Sequence, residues 1–370
     1  MDLSKLINNF DISGRLVTVM PTGNGNVNDT YLAIFRNTFE EYQVILQRIN
    51  SQVFPDPTLI MRNLREVTAH VHAKLEQDSE RADRVWQMPK IVQTRAGNDY
   101  FVDDDGALWR VITKISSATA FEEAQSLEHA RECGTVLGYF HWLLSDLEES
   151  KIADPLPGFH ITPLYLSCYD KVVENVPEAK ERLSSSMEAS RMAAFIEKRR
   201  DFATILQKAQ INGVLQKRMM HGDPKVNNIM IDDFTAKGSA MIDLDTVSPG
   251  LVHYDFGDAI RSICNPAGEE EPNISKVVLD LELCEAFCSG YLEQAEMFMS
   301  EVDKAYLFDS VRLITFELGL RFFQDYLAGN VYFKTTYSDQ NLHRARVQFK
   351  LCESIEVRES MLRKLLEASR

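Results

Sequence analysis

Apolar positions follow two rhythms along the 370 residues. At first they come in short runs bounded by turn residues. Leu16-Val17-Thr18-Val19-Met20, Tyr31-Leu32-Ala33-Ile34-Phe35 and Tyr42-Gln43-Val44-Ile45-Leu46 predict three strands. The first two flank a turn-rich loop, Pro21-Thr22-Gly23-Asn24-Gly25-Asn26-Val27-Asn28-Asp29-Thr30. A helix is predicted after Phe54-Pro55-Asp56-Pro57, with Leu59, Met61, Leu64 and Val67 as its apolar positions and Glu66 among its polar ones. Two further strands, near Tyr100–Val102 and Trp109–Ile112, flank the turn Asp103-Asp104-Asp105-Gly106. From Ala118 the period becomes helical, and helices are predicted over 119–148, 187–212, 276–299, 303–328 and 340–368. Gly213 and Gly329 punctuate two of them. The exception is 218–246, where Asn228–Ile231 and Ser239–Ile242 read as a hairpin embedded among helices. The pattern predicts an α+β chain in two lobes: a small β-rich lobe over 1–115, a hinge near Thr113–Ser117 and a larger, mainly helical lobe over 116–370.

Composition narrows the function classes. The 40 basic and 55 acidic residues give a net charge of −15, the wrong sign for a nucleic-acid partner. A nucleotide is compatible, because a few local cations, backbone N–H groups and Mg²⁺ suffice to hold one. No apolar run reaches membrane-span length, and the N-terminal residues lack a signal-peptide pattern, so no membrane partner is expected. The six cysteines form no Cys-x-x-Cys pair; reduced thiols in a cytoplasmic protein are the expectation.

The candidate chemistry concentrates in His221-Gly222-Asp223-Pro224-Lys225-Val226-Asn227-Asn228, followed by Met241-Ile242-Asp243-Leu244-Asp245. Taken singly, these are an ordinary turn and an ordinary cap. Together they set Asp, Lys and Asn at offsets 0, +2 and +5, with a carboxylate at the end of an apolar run. Phosphoryl transfer leaves a protein mainly positioning and charge compensation, and this set suits it. Asp223 fits the orientation and deprotonation of a hydroxyl, and Lys225 fits neutralisation of the moving phosphoryl group. Asn228 and Asp243 offer hard oxygen ligands for Mg²⁺, and Asp245 is a second ligand or a substrate contact. The lobes therefore read as a bilobal protein-kinase-like fold. Asp255-Phe256-Gly257 imitates the metal motif of protein kinases but falls after the hairpin. Asp255 is expected to hold the backbone of the Asp223 loop, with Asp258 capping the next helix. Gly23, Gly25 and Thr30 are candidates to cover a nucleotide's phosphates. Gln47 stands where a kinase strand carries lysine, with Glu66 as the expected helix partner.

His-Gly-Asp-x-x-x-x-Asn followed by Ile-Asp-x-Asp resembles the aminoglycoside phosphotransferase and choline kinase superfamily. Across nearly its full length the chain is most similar to N-acetylhexosamine 1-kinases. The shared points include Gly23-x-Gly25-x-x-Asn28-x-Thr30-Tyr31, Phe54-Pro55-Asp56, Asp255-Phe256-Gly257-Asp258, Gly319-x-Arg321-Phe322 and Asp325-Tyr326-Leu327-x-Gly329-x-x-Tyr332-Phe333. The resemblance implies transfer of phosphate from ATP, with Mg²⁺, to the anomeric hydroxyl of N-acetylglucosamine or N-acetylgalactosamine. It implies that Asp223 is the base, that Gln47 is tolerated, and that Arg321, Tyr332 and Asn26 face the sugar. Asn26 departs from the histidine that similar N-acetylhexosamine 1-kinases carry. It further implies a monomer or weak homodimer whose partners are an amino sugar and a nucleotide.

Independently of the resemblance, Glu317, Arg321 and Asp325 share one helix face. They form either a surface ion-pair ladder or, given the apolar residues around them, a partly buried hydroxyl-binding cluster. Two other functions remain open at this stage: another small-molecule kinase (for choline, homoserine, a thioribose or an aminoglycoside) and a non-catalytic nucleotide-binding module.

Overall fold

The computed structural model describes residues 2–23, 27–77 and 84–368. Its small lobe opens with a short helix α1 (Leu3–Ile7), then β1 (Arg15–Pro21), β2 (Asp29–Arg36) and β3 (Glu41–Arg48). Helix α2 (Pro57–Gln77) follows, then β4 (Ile91–Val92), β5 (Phe101–Val102) and β6 (Leu108–Thr113). The strands form one antiparallel sheet in the order β1-β2-β3-β6-β4, with β5 also on β6. Alternation sorts their side chains. Ala33, Phe35, Val44, Leu46, Trp109 and Val111 are buried on one face against Leu6, Ile7 and Phe10. Register sets Thr30 opposite Gln47 and Gln47 opposite Arg110, a polar row on the other face.

Helix α2 packs on the large lobe. Its Ile60, Met61, Leu64, Val67 and Val71 join a core with Phe140, Leu143 and Val247. Buried Asn63 ties it there: its amide donates to Ala153 O and Val247 O, and its oxygen accepts from Ala153 N.

The large lobe begins with a strand rather than the predicted helix start. Strand β7 (Ala118–Ala120) precedes α3 (Leu127–Leu143), which Ser126 caps by accepting from His129 N. Helices α4 (Thr162–Asn175) and α5 (Pro177–Ser185), which the apolar pattern did not predict, follow. The helix predicted over 187–212 is two pieces, α6 (Met187–Glu197) and α7 (Ile205–Ile211). After β8 (Arg218–Met220) comes the expected hairpin, β9 (Ile229–Asp232) and β10 (Gly238–Met241), to which β7 adds a third strand. Pairing with β9 explains why 118–120 is extended despite its helical rhythm. Strand β11 (Ser248–Gly250) pairs with β8 and leads into α8 (Val252–Ile263).

The remainder is α9 (Leu281–Ala295), α10 (Glu301–Ala305), α11 (Leu307–Ala328), α12 (Gln340–Val357) and α13 (Glu359–Ala368). Breaks at Tyr306 and Arg358 interrupt the helices predicted over 303–328 and 340–368. Gly329 ends α11 in the left-handed conformation. Helices α3 and α9 touch backbone to backbone, since a Cβ on Gly290 would overlap the Arg131 carbonyl and one on Gly134 the Phe287 carbonyl. Among the described residues, no helix is long and apolar enough to cross a membrane.

Candidate active site

The site forms where β8 ends. Gly222 has φ +89°, and a Cβ there would lie 2.9 Å from Thr246 O, so only glycine fits this tight turn. Asp255, on α8, accepts from His221 N at 2.5 Å and Gly222 N at 2.8 Å. Behind it His141 of α3 donates to the same carboxylate at 2.8 Å, and Tyr291 of α9 lies 3.0 Å from the other His141 nitrogen. Asp255 thus holds the loop backbone, as its sequence position suggested. Asp258 differs from expectation: it lies inside α8 rather than capping it, and accepts from Arg261 one turn on.

Lys225 Nζ lies 2.8 Å from Asp223 Oδ2, and Asn228 Nδ2 donates to Asp223 O at 2.8 Å. Burial alone would raise Asp223, but Lys225, then His221 and Arg261, outweigh it and hold the carboxyl below its ordinary value. Burial would likewise lower Lys225, yet Asp223, Asp243 and Asp258 raise it. The two are a charged pair, and the Asp223 side chain is 34% exposed, open to the cleft.

Asp243 begins the turn after β10 in the left-handed conformation, φ +62°. It makes no hydrogen bond or ion pair among the described residues. Desolvation by the surrounding walls, then Asp245 and Asp223, push its carboxyl up to about 7. An unpartnered, repelled carboxylate in an uncommon backbone conformation fits a hard dication, and the preceding residue, Ile242, is tied to Asn228 by a 2.9 Å hydrogen bond from its N–H to the Asn228 carbonyl. No group of three or more Asp, Glu, His or Cys residues among the described ones could hold a metal by itself. Two protein oxygens completed by phosphate and water are what Mg²⁺ commonly takes.

Asp245 is engaged differently from expectation. It is 3% exposed and sits in the 3₁₀ turn Leu244–Thr246, not on a strand. Asn28 donates to its Oδ2 at 2.6 Å, and Arg110 Nη1 lies 2.6 Å from its Oδ1. Both oxygens thus face small-lobe residues, Oδ2 the Asn28 amide and Oδ1 the Arg110 guanidinium.

Gln47 does not meet Glu66. Its oxygen accepts from Arg110 Nε and Nη2 at 3.0 and 2.8 Å, and its amide donates to Thr30 Oγ1 at 3.1 Å. Glu66 has no hydrogen bond or ion pair among the described residues. The register explains this, since Arg110 stands directly across from Gln47 and α2 is committed to the large lobe. Gly23 has φ +76° at the mouth of the β1–β2 loop; Gly25 and Asn26 lie outside the described residues.

Helix α11 supplies the other wall. Glu317 is 1% exposed and accepts from Thr162 at 2.6 Å and from His160 Nδ1 at 3.0 Å. The other nitrogen of His160 donates to Gly222 O at 2.9 Å. Both partners of the ring, a carboxylate and a carbonyl, are acceptors, an arrangement that favours a ring protonated on both nitrogens. Burial would lower His160, but Glu317 and the Gly222 carbonyl, with Asp258 beyond them, raise it. One turn on, the Arg321 guanidinium lies 5.0–6.0 Å from the ring centres of Phe159, Tyr165, Tyr332 and Phe333. It makes no hydrogen bond among the described residues, so its donors are free. Asp325 accepts from the backbone N–H groups of Val331, Tyr332 and Phe333, fixing the turn that presents these rings. The ion-pair ladder does not form: Glu317 and Asp325 each bind elsewhere and leave Arg321 alone.

Sequence reading missed Arg110 and His160. The one available signal was the alternation of β6, which turns Arg110 toward the same face as Gln47.

These geometries belong to a phosphotransferase of the small-molecule kinase type. The profile of the phosphotransferase enzyme family matches residues 20–283, and the chain belongs to that family, whose enzymes use ATP with Mg²⁺. Among solved structures it is similar to a microcompartment-associated aminopropanol kinase, at 18% identity and a TM-score of 0.64 over 98% of both chains. It is also similar to an aminoglycoside phosphotransferase from Alicyclobacillus acidocaldarius, at 14% identity and a TM-score of 0.59 over 98% of this chain and 95% of that one. A choline kinase from Cryptosporidium parvum matches at 15% identity and a TM-score of 0.58, over 97% and 96%.

Proposed function

We propose that the protein phosphorylates the anomeric hydroxyl of an N-acetylhexosamine, giving the sugar 1-phosphate and ADP. The hydroxyl oxygen forms a bond to the γ-phosphorus of ATP while the bond from that phosphorus to the ADP oxygen breaks. Asp223 orients the hydroxyl and takes its proton. Lys225 stays charged beside it and offsets the negative charge of the phosphoryl group in transit. Asn228 and Asp243 would hold Mg²⁺, which would supply positive charge to offset the negative charge of the phosphates. The anomeric hydroxyl is more acidic than an ordinary alcohol, so one carboxylate suffices as base.

The observation that carries the substrate class is Arg321. Four aromatic rings that would make a good enclosure for an ammonium group are already filled by its guanidinium. Choline, an amino alcohol or an aminoglycoside would bring a cation against a cation. A neutral acceptor rich in hydroxyls, with an acetamido carbonyl, suits free donors and stacking rings. The cytoplasm is the proposed location, supported by six free cysteines, five of them buried.

The test is ADP release over N-acetylglucosamine, N-acetylgalactosamine, choline, ethanolamine and an aminoglycoside, with ³¹P detection of the phosphorylated position. An amino sugar phosphorylated at its anomeric oxygen with the highest kcat/KM is expected. A higher kcat/KM for any cationic acceptor would overturn the proposal.

A further inference from the structure

The small lobe contains a buried cation that the reaction as described does not use. Arg110 is 2% exposed, on the cleft-facing side of β6, and it touches two groups. Its Nε and Nη2 donate to Gln47, while Nη1 lies 2.6 Å from Asp245 Oδ1. That last approach is an ion contact without an aligned hydrogen bond, for neither Nη1 nor Oδ1 has one. From the other side Asn28 donates to Asp245 Oδ2, and Asn28 is itself fixed by Asn50 N. Asp245 belongs to the large lobe; Arg110 and Asn28 belong to the small one.

We propose that Arg110 and Asn28 grip Asp245 as a latch between the lobes, and that the latch fixes Asp243 as the cation-facing carboxylate. Asp243 and Asp245 are the start and the middle of one 3₁₀ turn, so holding the second holds the backbone of the first. The grip also keeps Asp245 out of the cleft, where a second free carboxylate would compete for the cation. Gln47 is then not an empty lysine position. It is the neutral acceptor that aims the guanidinium, and it is tied in turn to Thr30. A lysine there would set a second cation in the row and leave two Arg110 donors unpaired. The small-lobe cation thus acts on a protein carboxylate of the large lobe, and the phosphates of the nucleotide are left to the loop and to Mg²⁺.

The experiment reads ADP binding by calorimetry, with and without Mg²⁺, so the acceptor sugar does not enter. Asp245→Asn is expected to raise the Mg²⁺ concentration for half-maximal ADP binding by about tenfold or more, the size expected for loss of one charged contact. Metal-free ADP binding should change little. Gln47→Lys should shift Mg²⁺ dependence in the same direction. Either single variant leaves a charge unbalanced, so Arg110→Gln with Asp245→Asn is the control that removes both charges from the interior. It should melt closer to the parent than Arg110→Gln alone, yet keep the raised Mg²⁺ requirement. Parental Mg²⁺ dependence in that double variant would overturn the latch. So would tighter ADP binding in Gln47→Lys, which would make position 47 a vacant lysine site. An equal loss of metal-free and Mg²⁺-dependent binding would reduce Arg110 to a packing element.

Discussion

Asp223 stays ionised inside a protein wall because Lys225, two residues on, lies against it at 2.8 Å. A short loop carries both the charge and its counter-charge, so this part of the site is legible in the sequence. Replacing the carboxylate by an amide keeps the shape and removes the proposed proton acceptor. Asp223→Asn is expected to lower kcat by ~10²–10⁴, the usual range for one acid–base group, while ADP affinity stays near the parent value. Steady-state turnover and calorimetry check the two halves. Arg321 works by its donors. Arg321→Met leaves the rings and removes every hydrogen-bond donor, and kcat/KM for the proposed amino-sugar acceptor should fall by roughly 10²-fold, the size of losing one or two hydrogen bonds to a charged group. Arg321 could be nominated from sequence because it shares a helix face with two acids. That those acids bind elsewhere could not be, since their partners (Thr162, Val331–Phe333) come from other segments.

At the scale of elements, α11 joins the proposed acceptor side to the loop of Asp223. It carries Arg321 toward the cleft and, one turn earlier, Glu317 toward His160, which holds the carbonyl just before Asp223. His160 has a folded-state pKa above its ordinary 6.5, so the folded protein binds the extra proton more tightly. The stability this link contributes is complete below about pH 6.5 and is lost as pH rises through the raised value. The groups facing the ring are Glu317 of α11, Asp258 and the stacked Tyr254 of α8, and the Gly222 carbonyl. His160→Gln should flatten this alkaline decline in melting temperature, and melts across pH 6 to 9 would reveal it. A decline of parental slope in the variant would assign the titration elsewhere. The helix pair α3–α9 makes a second prediction. Gly290→Ala inserts a methyl into the Arg131 carbonyl and should cost ~1–3 kcal/mol in denaturant unfolding, as overpacking does.

The rhythm of apolar residues separated a strand-rich part from a helical part, because each depends on local period. Where elements pair or break through distant contacts, the rhythm failed. Residues 118–120 became a strand on β9, and 187–212 split in two. Helix α2 shows the same limit on the whole molecule. It follows three small-lobe strands in sequence, yet its apolar side belongs to the large lobe's core, secured by Asn63. Asn63→Leu would leave an Ala153 N–H and two carbonyls without their partner and should destabilise the fold by ~2–4 kcal/mol, measured by denaturant unfolding. The Arg110–Asp245 contact is a second tie between the lobes, joining the six-stranded sheet to the turn after β10.

The occupied aromatic enclosure has a pharmacological consequence. Inhibitors built on quaternary ammonium groups work by entering an unoccupied ring of aromatic faces, and here arginine is the permanent tenant. Such compounds should leave this protein untouched at concentrations that block kinases with a vacant enclosure. Selectivity would instead come from anionic mimics: an amino-sugar analogue with a sulfonate or carboxylate in place of the acetyl group gains the free guanidinium donors that a cation cannot use.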